Sequence, residues 1–139
     1  MDTLTPIRPV NVLVVDDNPD AAESLALVLG QAGHAVRVAG DGLAALDAAR
    51  ETRPEVVLLD LGMPGMNGFE AARRLREDPA ARPALLVAVT GWSSDDDRRR
   101  TRAAGFAHHL TKPADPEEVL ALVSEFAASG SPFPLREGG

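Results

Sequence analysis

The stretch Val56-Val57-Leu58-Leu59-Asp60-Leu61-Gly62 sets four consecutive branched apolar residues directly ahead of a carboxylate. A strand with one wet face alternates apolar and polar side chains, whereas a strand covered on both faces has no need to. A run this short and this continuously apolar therefore reads as a buried strand of a parallel sheet, with Asp60 at its carboxyl end. Outward from it, the runs at 10–15 and 84–89 have the same character, and 35–39 and 106–110 are weaker versions.

Helical patterns fill the gaps. Between 18 and 31, Ala22, Leu25, Val28 and Leu29 carry the three-and-four spacing of an amphipathic helix, and Pro19 suits its first turn. Asp41 is placed to cap a helix presenting Leu43, Leu46 and Ala49. Asn67 with Glu70 three residues on resembles a capping box ahead of Phe69, Ala72 and Leu75. Asp115, Pro116 and Glu118 open a last helix with Val119, Leu120, Val123 and Phe126 on its apolar face. The fourth helix, from Ser94 to Arg102, has almost no apolar stripe and should lie mostly in solvent. Its acids precede its arginines, as the helix dipole favours, with Asp95–Arg99 and Asp96–Arg100 as expected pairs. Five strands alternating with five helices predict an α/β fold: a doubly wound, five-stranded parallel sheet with helices on both faces.

Composition agrees with a single domain. The chain has 139 residues, 45% hydrophobic and 25% charged, which sets it apart from disordered and fibrous classes. It holds no cysteine, which excludes disulfides and thiolate metal sites. No apolar run approaches the ~20 residues of a membrane span, and the first residues lack the features of a secretory signal, so a cytoplasmic protein is expected. A net charge of −7 argues against binding to nucleic acid or an acidic membrane surface by the molecule as a whole. The expected organisation is an N-terminal extension over 1–9, one domain over 10–127 and a flexible tail over 128–139, where Ser, Gly and Pro replace periodicity.

The polar candidates share one position. Asp16 and Asp17 close the first strand, Asp60 the third and Thr90 the fourth, and Lys112 follows the fifth. Open α/β sheets bind ligands outside the carboxyl ends of their strands, where strand order reverses. With order 2-1-3-4-5, the first and third strands flank that point and the three aspartates converge. Crowded carboxylates repel, and a hard divalent cation removes the conflict. Mg²⁺ suits an all-oxygen set with few carboxylates better than Ca²⁺ or Zn²⁺. Asp60 is then positioned as a carboxylate nucleophile, with Lys112 and Thr90 placed to neutralise a transferring phosphoryl group.

These residues resemble the receiver domains of two-component response regulators. The likeness runs from Val10 to Ala127 and rests on Val14-Val15-Asp16-Asp17-Asn18, on Leu59-Asp60-Leu61-Gly62-Met63-Pro64-Gly65-Met66-Asn67-Gly68, and on Val89-Thr90-Gly91, Ala104-Gly105-Phe106 and Lys112-Pro113. The resemblance implies that Asp60 is the phosphoacceptor. It further implies that Asp17, Asp60 and the Gly62 carbonyl bind Mg²⁺ directly, that Asp16 helps through water, and that Thr90 and Lys112 hold the phosphoryl oxygens. It assigns the switch position to His109, where the family more often has Tyr or Phe, and favours a cis bond between Lys112 and Pro113. Gly62 and Trp92 occupy positions that influence phosphate lifetime in the family. The implied partners are a histidine kinase or histidine phosphotransfer protein and a downstream protein target. The implied catalysis is confined to the chain's own phosphorylation and dephosphorylation.

Other readings account for less. The stretch around Trp92 and His109 is also similar to receivers of hybrid histidine kinases, of which this chain would be a fragment. Gly40-Asp41-Gly42-Leu43-Ala44-Ala45 fits a dinucleotide-binding pattern, but follows the second strand and reads more simply as a turn with a cap. His109-Leu110-Thr111-Lys112 has the spacing of a histidine phosphotransfer site, yet follows a strand pattern where those proteins are helical. Arg98-Arg99-Arg100 with Arg102 reads as a solvated helix face rather than a nucleic-acid patch. A small phosphatase with an aspartyl-phosphate intermediate would want a second acid two residues after its nucleophile, whereas Asp16 and Asp17 are adjacent.

Overall fold

The computed structural model describes residues 8–63 and 67–129; the N-terminal seven residues, the Pro64 to Met66 part of the expected motif and most of the expected tail lie outside the described residues. Five strands alternate with five helices: β1 (Asn11–Val15), α1 (Pro19–Gln31), β2 (Ala35–Ala39), α2 (Gly42–Thr52), β3 (Val56–Asp60), α3 (Gly68–Glu77), β4 (Leu85–Thr90), α4 (Asp95–Ala103), β5 (His108–Thr111) and α5 (Pro116–Ser129). The strands form one parallel sheet in the order β2-β1-β3-β4-β5.

The continuous apolar runs are explained by two cores, one on each face. Leu13, Val15, Val57 and Leu59 pack with Leu46, Leu75 and Phe106 on one side. Val12, Val14, Val56 and Leu58 pack with Leu29, Val119, Val123 and Phe126 on the other. Successive residues of one strand thus serve opposite cores, as the period of two requires.

The helix starts follow from their caps. Asn18 accepts hydrogen bonds from the Asp20 and Ala21 amides, Asp41 from Ala44 and Asn67 from Glu70. Ser94 and Asp97 form a complete capping box on α4. Both α1 and α4 end on a glycine with positive φ, Gly33 at 100° and Gly105 at 99°. The amides of His34 and Phe106 turn back to the carbonyls of Leu29 and Thr101, closing helix ends that a side chain at either glycine would strain.

Three expectations are corrected. Leu43 is not part of the α2 apolar face: it is exposed, and Gly42, Ala45, Leu46, Ala48 and Ala49 are buried instead. The expected pairs on α4 give way to Asp96–Arg99 at 3.2 Å, which takes one member of each, while the Arg100 guanidinium stacks over the Phe69 ring, 4.9 Å from its centroid. The last strand begins two residues later than its apolar pattern, since Phe106 turns into the core directly after Gly105.

Candidate functional site

The parallel order brings the ends of β1 and β3 side by side, with Val15 paired to Leu59. Asp16 and Asp17 therefore meet Asp60, and one carboxylate oxygen from each lies within 4.8 Å of the others. Asp16 and Asp60 are buried, whereas Asp17 faces solvent. Among the described residues Asp17 enters no side-chain hydrogen bond or ion pair. Capping of α1 falls to Asn18, whose own amide donates to Asp16 Oδ1 at 2.9 Å.

Lys112 reaches in from the end of β5. Its Nζ lies 3.0 Å from Asp60 Oδ2 and 3.3 Å from Asp16 Oδ2. Burial alone would lower the Lys112 pKa, but the hydrogen bond to Asp60 and the charges of Asp60 and Asp16 outweigh it, and the ammonium is held above its ordinary value. Asp16 moves upward as well. Burial is the largest cause, and the Asp60 charge adds to it, against opposing pulls from the Asn18 amide and Lys112. Burial, more than the crowding of acids, therefore raises the Asp16 carboxyl, and Lys112 offsets part of it.

The remaining sequence-selected residues frame this centre. The Gly62 amide donates to Asp60 Oδ1 at 2.9 Å. Thr90 is buried at the end of β4, and its Oγ1 accepts from the Trp92 amide at 3.0 Å, which leaves its own proton free for a ligand. A Cβ on Gly62 would lie 3.7 Å from Asp60 Oδ1 and 3.8 Å from the edge of the Trp92 indole, so this aromatic ring stands beside the Asp60 carboxylate. The Lys112–Pro113 bond is cis. A cleft of about 440 Å³, lined by Asp16, Asn18, Leu25, Lys112 and Pro113 among others, opens next to the site.

Three carboxylates with no histidine or thiolate among them form a hard donor set, fitted to a small divalent cation. The half-buried lysine between two of them adds a fixed positive charge where an anionic group would sit.

His109 lies farther out on β5, bonded more extensively than its sequence suggested. Its Nδ1 lies 3.1 Å from Thr101 Oγ1. Its Nε2 lies 3.0 Å from the Trp92 carbonyl and 3.1 Å from Ser93 Oγ. Ser93 and Thr101 were not among the sequence candidates. The one signal for Thr101 was that it breaks a run of charged residues on α4, where it is the single buried position.

Comparison with known proteins matches the model of the response regulator receiver domain over residues 12–124. Protein PilH of Pseudomonas aeruginosa is 35% identical over 117 residues, which cover 84% of this chain and 97% of PilH. The chemotaxis protein CheY4 of Vibrio cholerae superposes with a TM-score of 0.79 at 30% identity, over 85% of this chain and 98% of CheY4. The receiver domain of the sensor histidine kinase PA1611 of Pseudomonas aeruginosa, described with a magnesium ion coordinated in its active site cleft, gives 0.76 at 26% identity, over 87% and 99% of the two chains. Several other curated relatives are about twice as long, so that the match spans about half of them.

Proposed function

The chain belongs to the response regulator receiver domain family, and from that premise we propose that Asp60 takes a phosphoryl group from the phosphohistidine of a histidine kinase or histidine phosphotransfer protein. The observation that carries this reading is the meeting of Asp60 with Lys112 at 3.0 Å inside a cluster of three carboxylates.

In the transfer, a carboxylate oxygen of Asp60 forms the new bond to phosphorus as the phosphorus–nitrogen bond breaks, and the imidazole leaves with the electron pair and takes a proton from water. Phosphoryl transfer asks the protein chiefly for positioning and charge neutralisation. The Gly62 amide and Lys112 orient the two oxygens of Asp60. Lys112 exchanges its carboxylate contact for a phosphoryl oxygen, and the Thr90 hydroxyl donates to a second. Asp16, Asp17, Asp60 and the Gly62 carbonyl would hold Mg²⁺, as the donor set and the magnesium-bearing PA1611 receiver suggest. When bound, the ion neutralises the carboxylates and the developing charge on the phosphoryl oxygens.

His109 is the readout. Phosphorylation draws on the Thr90 hydroxyl, and His109 holds the Trp92 carbonyl two residues along. A shift of this loop changes the surface of α4 and β5 that a downstream protein contacts.

The test is incubation with acetyl phosphate. Intact-mass measurement should record one phosphoryl group per chain, dependent on Mg²⁺, in the native protein and none in Asp60→Asn. Equal labelling of the variant would overturn the assignment.

A further inference from the structure

Two elements and the loop between β4 and α4 meet on one imidazole. From β5, His109 places Nε2 3.0 Å from the Trp92 carbonyl oxygen and 3.1 Å from Ser93 Oγ, both in that loop, and Nδ1 3.1 Å from Thr101 Oγ1 of α4. A carbonyl only accepts, so Nε2 carries a hydrogen. Nδ1 has two options, because the one hydroxyl hydrogen of Thr101 also reaches the Arg98 carbonyl, 3.0 Å away. Given to Nδ1, that hydrogen leaves the ring neutral. Given to Arg98, it turns a lone pair of Thr101 toward Nδ1, which then keeps a second N–H as an imidazolium. Rotation of one buried hydroxyl thus accommodates an added proton with both ring nitrogens still bonded and no heavy atom displaced.

The charges around the ring are mixed. Asp97, Arg100, Thr101 and His109 line one small cavity together with Thr90 and Trp92. Asp97 is the acid there, pinned by a 2.8 Å hydrogen bond from Ser94 Oγ. Its carboxyl is held below the ordinary value first by Ser94 and, in smaller part, by His109. Against it stand Arg98 and Arg102, which flank His109 and the titratable His108 on the other side, and Arg100, whose guanidinium is turned over the Phe69 ring. The loop residues Trp92, Ser93 and Ser94 carry no charge. Histidine is the side chain whose charge ordinarily changes between about pH 5 and 8, and here one fixed acid and acceptors at both nitrogens face its cation while three arginines oppose it.

We propose that His109 takes a proton from solvent in the resting chain and returns it to solvent when Asp60 is phosphorylated, so that the switch answers to pH as well as to phosphate. The link runs through Trp92: its amide donates to Thr90 Oγ1 at 3.0 Å, and its carbonyl accepts from the ring. A hydrogen bond from an imidazolium is about twice as strong as one from a neutral ring, so the proton fastens this loop in its present position. A phosphoryl group that draws Thr90 toward itself pulls on the same residue and weakens the acceptor. Coupling between two ligands is reciprocal. Acid therefore opposes the phosphorylated form, and phosphorylation expels the proton. The sign of this link rests on the receiver reading of Asp60 and Thr90; the two hydrogen-bonding states of the ring do not.

The experiment follows the ring signals of the three histidines of the full chain by NMR from about pH 5 to about pH 8.5. It is run on the chain alone and with Mg²⁺ and beryllofluoride, a stable stand-in for the phosphoryl group. The proton affinity of His109 should fall at least about fivefold on their addition, the low end of ordinary couplings, and stay unchanged in Asp60→Asn. His34, at the opposite end of the sheet ahead of β2, should not move. In the resting chain Thr101→Val should lower the proton affinity of His109 and Thr101→Ser restore it, a response that a packing role alone would not give. The native comparison needs no substitution at the ring, so it decides even where Thr101→Val fails to fold. An unchanged His109 titration, a more tightly held proton, or an equal shift at His34 or in Asp60→Asn would each overturn the proposal. Acetyl phosphate labelling is recorded on the same preparation. A chain that labels while His109 titrates alike in both states sinks the proton link alone, and one that never labels sinks the receiver reading and the link together.

Discussion

At Asp16, stability and function pull in opposite directions. Its carboxyl is raised, first by burial and then by the Asp60 charge, so its ionised form is disfavoured in the fold. For an acid raised on folding, the favourable contribution is complete below the unfolded value and is lost as pH rises through the folded one. Ionised Asp16 therefore costs stability at neutral pH, and Asp16→Asn, which keeps an oxygen for the Asn18 amide, should raise the melting temperature in EDTA while shrinking the rise that Mg²⁺ gives. A lower melting point in EDTA would show that the charge is not under strain. His34 has the opposite sign of shift for a base. It is buried, its Nδ1 accepts from the Val10 amide at 3.1 Å, and burial holds its pKa below the ordinary value. Its contribution is full above about pH 6.5, the unfolded imidazole value, and is lost as pH falls through the folded one. The urea midpoint should thus drop between about pH 7.5 and about pH 5. In His34→Leu the drop should be smaller, on a baseline lowered by about 1–3 kcal/mol for the orphaned Val10 amide. An equal drop in both proteins would remove His34 from the acid response.

Among the elements, the junction of β3 with α3 carries the most constraint. A Cβ on Gly68 would stand 2.7 Å from Leu61 Cα and 2.9 Å from the Asp60 carbonyl oxygen. Both are backbone atoms, so the first turn of α3 would have to move away from Asp60, the residue proposed to accept the phosphoryl group. Gly68→Ala should cost about 1–3 kcal/mol by urea denaturation and slow labelling at Asp60. Gly30 offers the contrast, since nothing lies within 4 Å of a Cβ placed there. Gly30→Ala should stabilise α1 by about 0.4–1 kcal/mol, and a similar loss at both positions would show that backbone contact is not what Gly68 avoids. α4 behaves differently from the other helices. Its capping box and terminal Gly105 define both ends, but only Thr101 is buried. It is held by few apolar contacts, which places it at the less stable end of the fold.

For the molecule as a whole, the site exists only in the folded chain, because Asp60 is brought to Asp16 and Asp17 by the pairing of β1 with β3. A cation that binds there stabilises the fold by mass action, about 2.7 kcal/mol at a hundredfold excess over its dissociation constant. Thermal melts with Mg²⁺ should rise accordingly and do so less in Asp17→Ala; no rise would mean that the carboxylates do not act together. Much of this was legible in the chain itself. Uninterrupted apolar runs such as 56–59 announced a parallel sheet covered on both faces, Asp41, Asn67 and Asp115 announced helix starts, and the strand-end positions of Asp16, Asp17, Asp60, Thr90 and Lys112 announced a common site. Such features repeat within one element or mark its end, so local periodicity and hydrogen-bonding chemistry suffice to read them. The tertiary structure alone decided that burial raises the Asp16 carboxyl, that Asn18 caps α1, that Leu43 is left in water, and that Arg100 turns to Phe69. His109 meets Trp92 and Ser93 across sixteen to seventeen residues of sequence, and contacts of that kind depend on how elements pack, which no pattern within a single element encodes.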